Sequence, residues 1–141
     1  MSESDLFRVF NTSASALTAQ SVRLNTVASN LANASTAAST PEATYKSKQV
    51  LFQTVIDQEN PNRASMPVRV ADIVDSPAKP IPTYEPNHPQ ANDDGYVFRP
   101  AISVVEEMAN MMSASRSYEA NVEVINTSRQ ILQRTLQVGQ S

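Results

Sequence analysis

The chain has 141 residues, a formal net charge of −3, no cysteine and only two glycines. That length suits one domain, the acidic balance without a Lys/Arg cluster argues against a phosphate-binding surface, and the missing cysteines exclude disulfides and thiolate metal sites. No run of about 18 apolar residues is present to span a bilayer, and the first residues lack the basic start and apolar block of a secretory signal.

In chain order, the first element is a long helix. Phe7, Phe10, Ala14, Leu17, Ser21, Leu24, Ala28 and Leu31 alternate spacings of three and four, and all but one are apolar. That pattern predicts a seam facing another helix. Between Leu6 and Asn33 the only charges are Arg8 and Arg23, and the outward positions are mostly Ser, Thr, Asn, Gln and Ala. Such residues compete for backbone hydrogen bonds, so the segment is unstable alone. A solvated helix normally carries charge on its outer face. We therefore expect protein on most sides of this one; an ordinary amphipathic core helix is the alternative.

After Asn33 the composition changes. All nine prolines fall between Pro41 and Pro100, which rules out long helices there. Residues 34–44 are small and polar and read as a loop or linker. Residues 45–56, and the alternation of Val68, Val70 and Val74, predict two short strands. Residues 76–90 hold Pro77, Pro80, Pro82, Pro86 and Pro89 and should be extended and irregular. Asp93-Asp94-Gly95 supplies a turn before a third strand at Tyr96, Val97 and Phe98.

The last stretch, 103–138, carries the longest pattern: Val104, Met108, Met111, Ser115, Tyr118, Val122, Ile125, Arg129, Leu132 and Leu136. This is a second helical seam of more than four heptads. Ser103 and Glu106 form a capping box, Gly139 is a natural stop, and acids early with Arg129 and Arg134 late suit the helix dipole. Met108 and Met111 belong to the seam, while Met112 beside it can meet a second partner. Tyr118 has Ser115 as a candidate hydroxyl partner. Arg129 on the seam needs a carboxylate, which a neighbouring subunit can supply.

The fold class that follows is mainly α: long N- and C-terminal helices packed as an antiparallel coiled-coil-like pair around a small β-rich, Pro-rich middle. We divide the chain into residues 1–40, 41–100 and 101–141. Catalysis has no foothold. His88 is the only histidine, and with Asp93 and Asp94 it makes a weak metal set, better read as a solvated loop residue and two turn residues. No phosphate loop or nucleophile motif is present. No cofactor and no metal are expected.

The segment AQSVRLNTVASNLANAST at residues 19–36 resembles the N-terminal signature of bacterial flagellar rod, hook and hook-associated proteins. HPQANDDGYV at 88–97 and VEEMANMMSASRSYEANV at 105–122 are similar, more narrowly, to its proximal rod branch. Asn25, Asn30, Asn33, Glu107, Arg116, Tyr118, Glu119 and Asn121 carry the likeness, and residues 50–86 add little to it. Many relatives have a TPGY turn after the first signature; here Thr40 to Tyr45 is longer and lacks the glycine. The resemblance implies a structural subunit of the flagellar drive shaft, exported unfolded through the flagellar type III apparatus. It implies a basal-body rod within the periplasmic space, built with FlgB, FlgF, FlgG, FliE and copies of itself around an export channel, without nucleic acid or membrane insertion. The packing residues are then Phe7, Phe10, Leu17, Leu24 and Leu31 on the first helix, and Val104, Met108, Met111, Tyr118, Val122, Ile125, Leu132 and Leu136 on the second. A helical adaptor or secretion chaperone would also show two amphipathic helices, but with a charged outer face that the first helix lacks.

Overall fold

A computed structural model describes residues 3–56 and 66–139. Its elements in order are α1 (Glu3–Asn33), β1 (Lys48–Thr54), β2 (Val68–Asp75), β3 (Ile81–Tyr84), β4 (Tyr96–Arg99) and α2 (Val104–Gly139). The chain is mainly helical, with the two long helices at its ends packed on one another and a small β-containing middle between them.

The helices form where the three-four spacing requires them, but their most buried residues are not those of the seams. In α1 the buried residues are Leu6, Ser13, Ala19, Thr26, Val27 and Asn30; in α2 they are Ala114 and Ser128. With about 100° of turn per residue, both stripes lie roughly a quarter to a third of a turn from the seams. The facing surfaces are small and polar. Hydroxyls there are satisfied within their own helix: Thr26 Oγ1 donates to the Val22 carbonyl at 2.9 Å, which lets a polar side chain be buried without a partner across the interface. Partner order reverses along the pair. Asn30 meets Glu107 and Arg23 meets Asn110, while Leu6 and Phe10 share a cavity with Leu132.

β1 and β2 pair antiparallel, with a register shift between Leu51 and Phe52, and lie against α1. Ser15 Oγ accepts the Val68 N–H at 3.0 Å and so ties the start of β2 to α1. β3 and β4 form a second antiparallel pair, Ile81 opposite Arg99 and Tyr84 opposite Tyr96. This corrects the expectation of irregular chain across residues 76–90. Pro82 hides the strand in the sequence, yet β3 has β4 on one side only, and an edge strand tolerates a residue without an N–H.

The 34–44 segment is a tied loop. Ala38 exchanges both backbone hydrogen bonds with Phe98, at 3.0 and 2.8 Å. The stretch from Thr40 to Tyr45, which has no glycine, turns through hydroxyls: Thr40 Oγ1 accepts the Ala43 N–H and Thr44 Oγ1 donates to the Thr40 carbonyl. No non-glycine among the described residues needs a positive φ. Gly95 does have one, φ 81°, in the turn before β4. Asn92 Oδ1 accepts the N–H groups of both Asp94 and Tyr96 there, and Asp93 and Asp94 are turn residues as expected.

Candidate functional site

Two features could do more than hold the fold. One is a polar clamp where α1, α2 and β1 converge; the other is the apolar surface that the fold leaves open.

The clamp is centred on Asn30, which is 2% exposed. A carboxamide offers two donor hydrogens and two acceptor lone pairs, and all four are used. Nδ2 donates to the Lys48 carbonyl at 2.9 Å and to Glu107 Oε2 at 3.2 Å. Oδ1 accepts the Lys48 N–H at 2.8 Å and the Tyr45 hydroxyl at 3.0 Å. The side chain thus pairs with Lys48 as a neighbouring peptide would and stands in for a strand partner at the start of β1. Because Tyr45 gives its only hydroxyl hydrogen to Asn30, the Ser29 hydroxyl, 3.1 Å away, donates to Tyr45. One residue of the helix therefore fixes the end of the linker, the first strand and the first turn of α2. Arg23 reinforces the junction by donating to Asn110 Oδ1 at 3.3 Å.

A cleft of about 310 Å³ opens beside the clamp, with Arg23, Lys48, Phe52 and Glu107 in its walls. Lys48 Nζ lies 3.0 Å from Asp75 Oδ1. The hydrogen bond and charge of Asp75 raise the ammonium pKa above the ordinary lysine range. Among the described residues no group of three His, Cys, Asp or Glu side chains is placed to hold a metal. His88 lies in a turn, where its Nδ1 accepts the Gln90 N–H at 3.0 Å.

The open surface is extensive. Among the described residues the buried apolar ones are Leu6, Ala19, Val27, Val97 and Ala114, so the large members of this core are one leucine and two valines. By contrast Phe7 (58% exposed), Val104, Val105 (78%), Met108, Met112 (59%), Val124, Ile131, Leu136 and Val138 remain largely in solvent. Phe10, Leu17, Leu24, Leu31, Met111, Val122, Ile125 and Leu132 are half-buried. Phe7 and Phe10 of α1 and Leu132 of α2 line a shared cavity of about 280 Å³. The strands occupy the other side of α1.

The signature residues divide between the two features. Asn30 and Glu107 meet in the clamp. Asn33 Nδ2 donates to the Ser29 carbonyl, and Asn121 Nδ2 to the Ser117 carbonyl, both one turn back in their own helices. Asn25, Arg116, Tyr118 and Glu119 are exposed. Arg129 is exposed too, so no buried charge needs a partner within the chain. Among the described residues no hydrogen bond is seen to join Tyr118 to Ser115, and Tyr118 is 38% exposed. Met108, expected on a covered seam, is 54% exposed within the chain. Of the capping box, Ser103 Oγ accepts the Glu106 N–H at 3.3 Å. The clamp's other members, Tyr45 and Lys48, lie 15 and 18 residues from Asn30, at spacings that no local pattern marks.

Comparison with known proteins gives the family. Residues 10–37 match the model for flagella basal body rod protein, and residues 93–138 match that for the C-terminal region of flagellar basal body rod FlgEFG proteins. The flagellar basal-body rod protein FlgC of Escherichia coli O6:H1 is 48% identical over 135 residues, covering 96% of this chain and 98% of the relative. FlgC of Salmonella typhimurium is 47% identical with the same coverage. FlgC of Bacillus subtilis is 34% identical over 146 residues, covering 94% and 97%. The chain belongs to the FlgC family of flagellar basal-body rod proteins.

Proposed function

We propose that this chain is a structural subunit of the proximal rod, that its two helices act as an antiparallel coiled-coil-like pair, and that copies polymerise helically by covering each other's apolar seams. The single observation that carries this reading is the imbalance between a core of three sizeable apolar side chains among the described residues and the apolar surface left in solvent at Phe7 and along α2. Burying a Val or Leu contributes about 1.5–3 kcal/mol, so so small a core leaves an isolated pair marginal against the entropy of ordering two long helices. A helix that is apolar on several sides belongs inside an assembly. α2 has this character, with Val105, Met108 and Met112 on one side and Val124 and Ile131 on another.

In this reading the rod stands in the periplasmic space, FlgB, FlgF, FlgG and FliE are neighbours, and the paired helices form the channel wall and carry torque through packing rather than chemistry. Weak helices are an advantage for a chain exported unfolded through the type III apparatus, because they need not be pulled apart. The packing residues are those of the seams, from Phe7 to Leu31 and from Val104 to Leu136.

Amide hydrogen exchange on the purified chain tests the reading peptide by peptide. Nearly unprotected helices in the isolated chain, protected once it is in basal bodies, are the expected result. Strong protection of both helices in a stable monomer or dimer would overturn it and favour an adaptor or secretion chaperone.

A further inference from the structure

We infer that an extended, uncharged segment of a different protein adds to the free edge of β1 as a further strand, seated in the cleft beside the clamp. The inference rests on the rod reading above for the place of assembly. In an antiparallel ladder each residue directs both backbone groups to one side, and the side alternates along the strand. Both ends of β1 fix the phase. Lys48 turns its N–H and C=O away from β2 to the Asn30 carboxamide, while the Ser76 N–H donates to the Ser47 carbonyl at 2.7 Å just behind it. At the far end the Val55 N–H donates to the Pro67 carbonyl at 2.9 Å, so Thr54, opposite Val68, is turned outward as well. The extra residue of the register shift, Ala71, belongs to β2, and the alternation of β1 runs through unbroken. Val50 and Phe52 therefore direct their N–H and C=O groups outward too, at steps of about 6.8 Å. Among the described residues no group of the chain is seen to take them.

Asn30 shows what this edge accepts. Its carboxamide lies beside Lys48 as a neighbouring peptide would, and it is the first rung of a row that stops there. Beyond it the cleft of about 310 Å³ runs between the edge, at Val50 and Phe52, and the helices, at Arg23, Val27 and Asn110. Among the described cleft residues each charge is already matched: Arg23 with Asn110, Lys48 with Asp75, and Glu107 with Asn30. Such walls do not call for a charged ligand, whereas donors and acceptors repeating at strand spacing fit another main chain. The other strand edges are managed differently. β4 has Ala38 along its outer side, β3 presents Pro82 without an N–H, and β2 is held to α1 where Ser15 takes the Val68 N–H. A second copy could bring its own β1 edge, but like edges meet about a two-fold axis and the contact stops at two chains, which a propagating rod excludes. Its stretch between β2 and β3 carries Pro77 and Pro80 and makes a poor strand. The partner is therefore a segment of another protein.

Residue-resolved amide exchange on isolated basal bodies carrying the wild-type chain tests the edge directly. Gln49 and Leu51, whose N–H groups face β2, are the internal reference. Val50 and Phe52 should exchange as slowly as these two, about 100-fold or more below the rate of an unstructured amide. Fast exchange at Val50 and Phe52 beside slow exchange at Gln49 and Leu51 would show an edge open to water and overturn the inference. The occupant is then identified with p-benzoylphenylalanine in place of Phe52, and separately of Leu51, side chains that are 42% and 47% exposed. Irradiation of the basal bodies and mass spectrometry of the adduct should give a peptide from a different protein. An adduct of the chain with itself, or none from either position, would overturn the inference and leave the rod reading intact. If the wild-type chain is absent from basal bodies, the rod reading fails and the inference falls with it.

Discussion

Replacing Asn30 with alanine tests whether the clamp couples the two helices to the first strand. The change removes four hydrogen bonds. Two of the partners recover. Glu107 is half-exposed and can turn to water, and Tyr45 keeps Ser29. The N–H and C=O of Lys48 lose the carboxamide that filled this position, itself 2% exposed. Each stranded backbone group costs about 1–3 kcal/mol, so the pair costs about 2–6 kcal/mol. Since the helices fold on assembly in the proposed function, the assay is competition: tagged Asn30→Ala and wild-type chains are co-expressed, and their ratio is measured in isolated basal bodies. At about 1.4 kcal/mol per factor of ten, even the lower figure disfavours the variant roughly 30-fold. Asn33→Ala removes a single bond within its own helix and should compete within a few-fold of wild type. Asn30→Ala entering the rod within threefold of wild type would refute the clamp.

Four further outcomes are expected. Leu24→Asp or Val122→Asp sets an unpaired carboxylate into a seam that the proposed assembly covers, at about 3–5 kcal/mol, so rod assembly and swimming should be lost while synthesis is unchanged, as read by immunoblot and motility agar. Gly95→Ala forces an L side chain to φ 81° and brings its Cβ to 2.9 Å from Tyr84 Cε2, a strain of about 1–3 kcal/mol; faster exchange of the Glu85 amide, which donates to the Gly95 carbonyl, reports it. His88→Ala removes only a turn contact to Gln90 and should swim normally. Asp75→Asn should return the Lys48 ammonium pKa to the ordinary range by NMR titration. Because Asp75 raises that pKa, its stabilisation is full below the unfolded lysine pKa and disappears as pH rises through the folded one, and added salt should weaken it because the pair is exposed.

The elements were legible where one local rule decides them. The three-four spacing marks both helices, β-branched alternation marks β1 and β2, and the Asp-Asp-Gly turn marks the approach to β4. β3 was not, because proline density argues for irregular chain and only the partner strand shows that Pro82 sits at an edge. The clamp was half legible. Asn30 stood out within a signature, but Glu107 is 77 residues away and nothing local joins it to Asn30.

The seams raise the deeper point. Hydrophobic periodicity says which residues must leave water, and it is silent on what covers them. Here the most buried residues of the two helices are mostly small or polar: Ser13, Ala19 and Thr26 beside Leu6 and Val27 on α1, Ala114 and Ser128 on α2. Small side chains let two helices approach closely but contribute little by burial. The pair also carries a cost, since Gln20 Oε1 is buried without a hydrogen-bond partner. A chain that spent its leucines, phenylalanines and methionines on this contact would be a stable hairpin with nothing left to offer a neighbour. With these residues held outside the most buried positions, the intrachain contact stays weak, and in the proposed assembly burial of the seams depends on further copies. Folding and assembly then draw on the same apolar surface. A substitution on the seam should therefore change the amount of rod formed far more than it changes the stability of the chain in isolation.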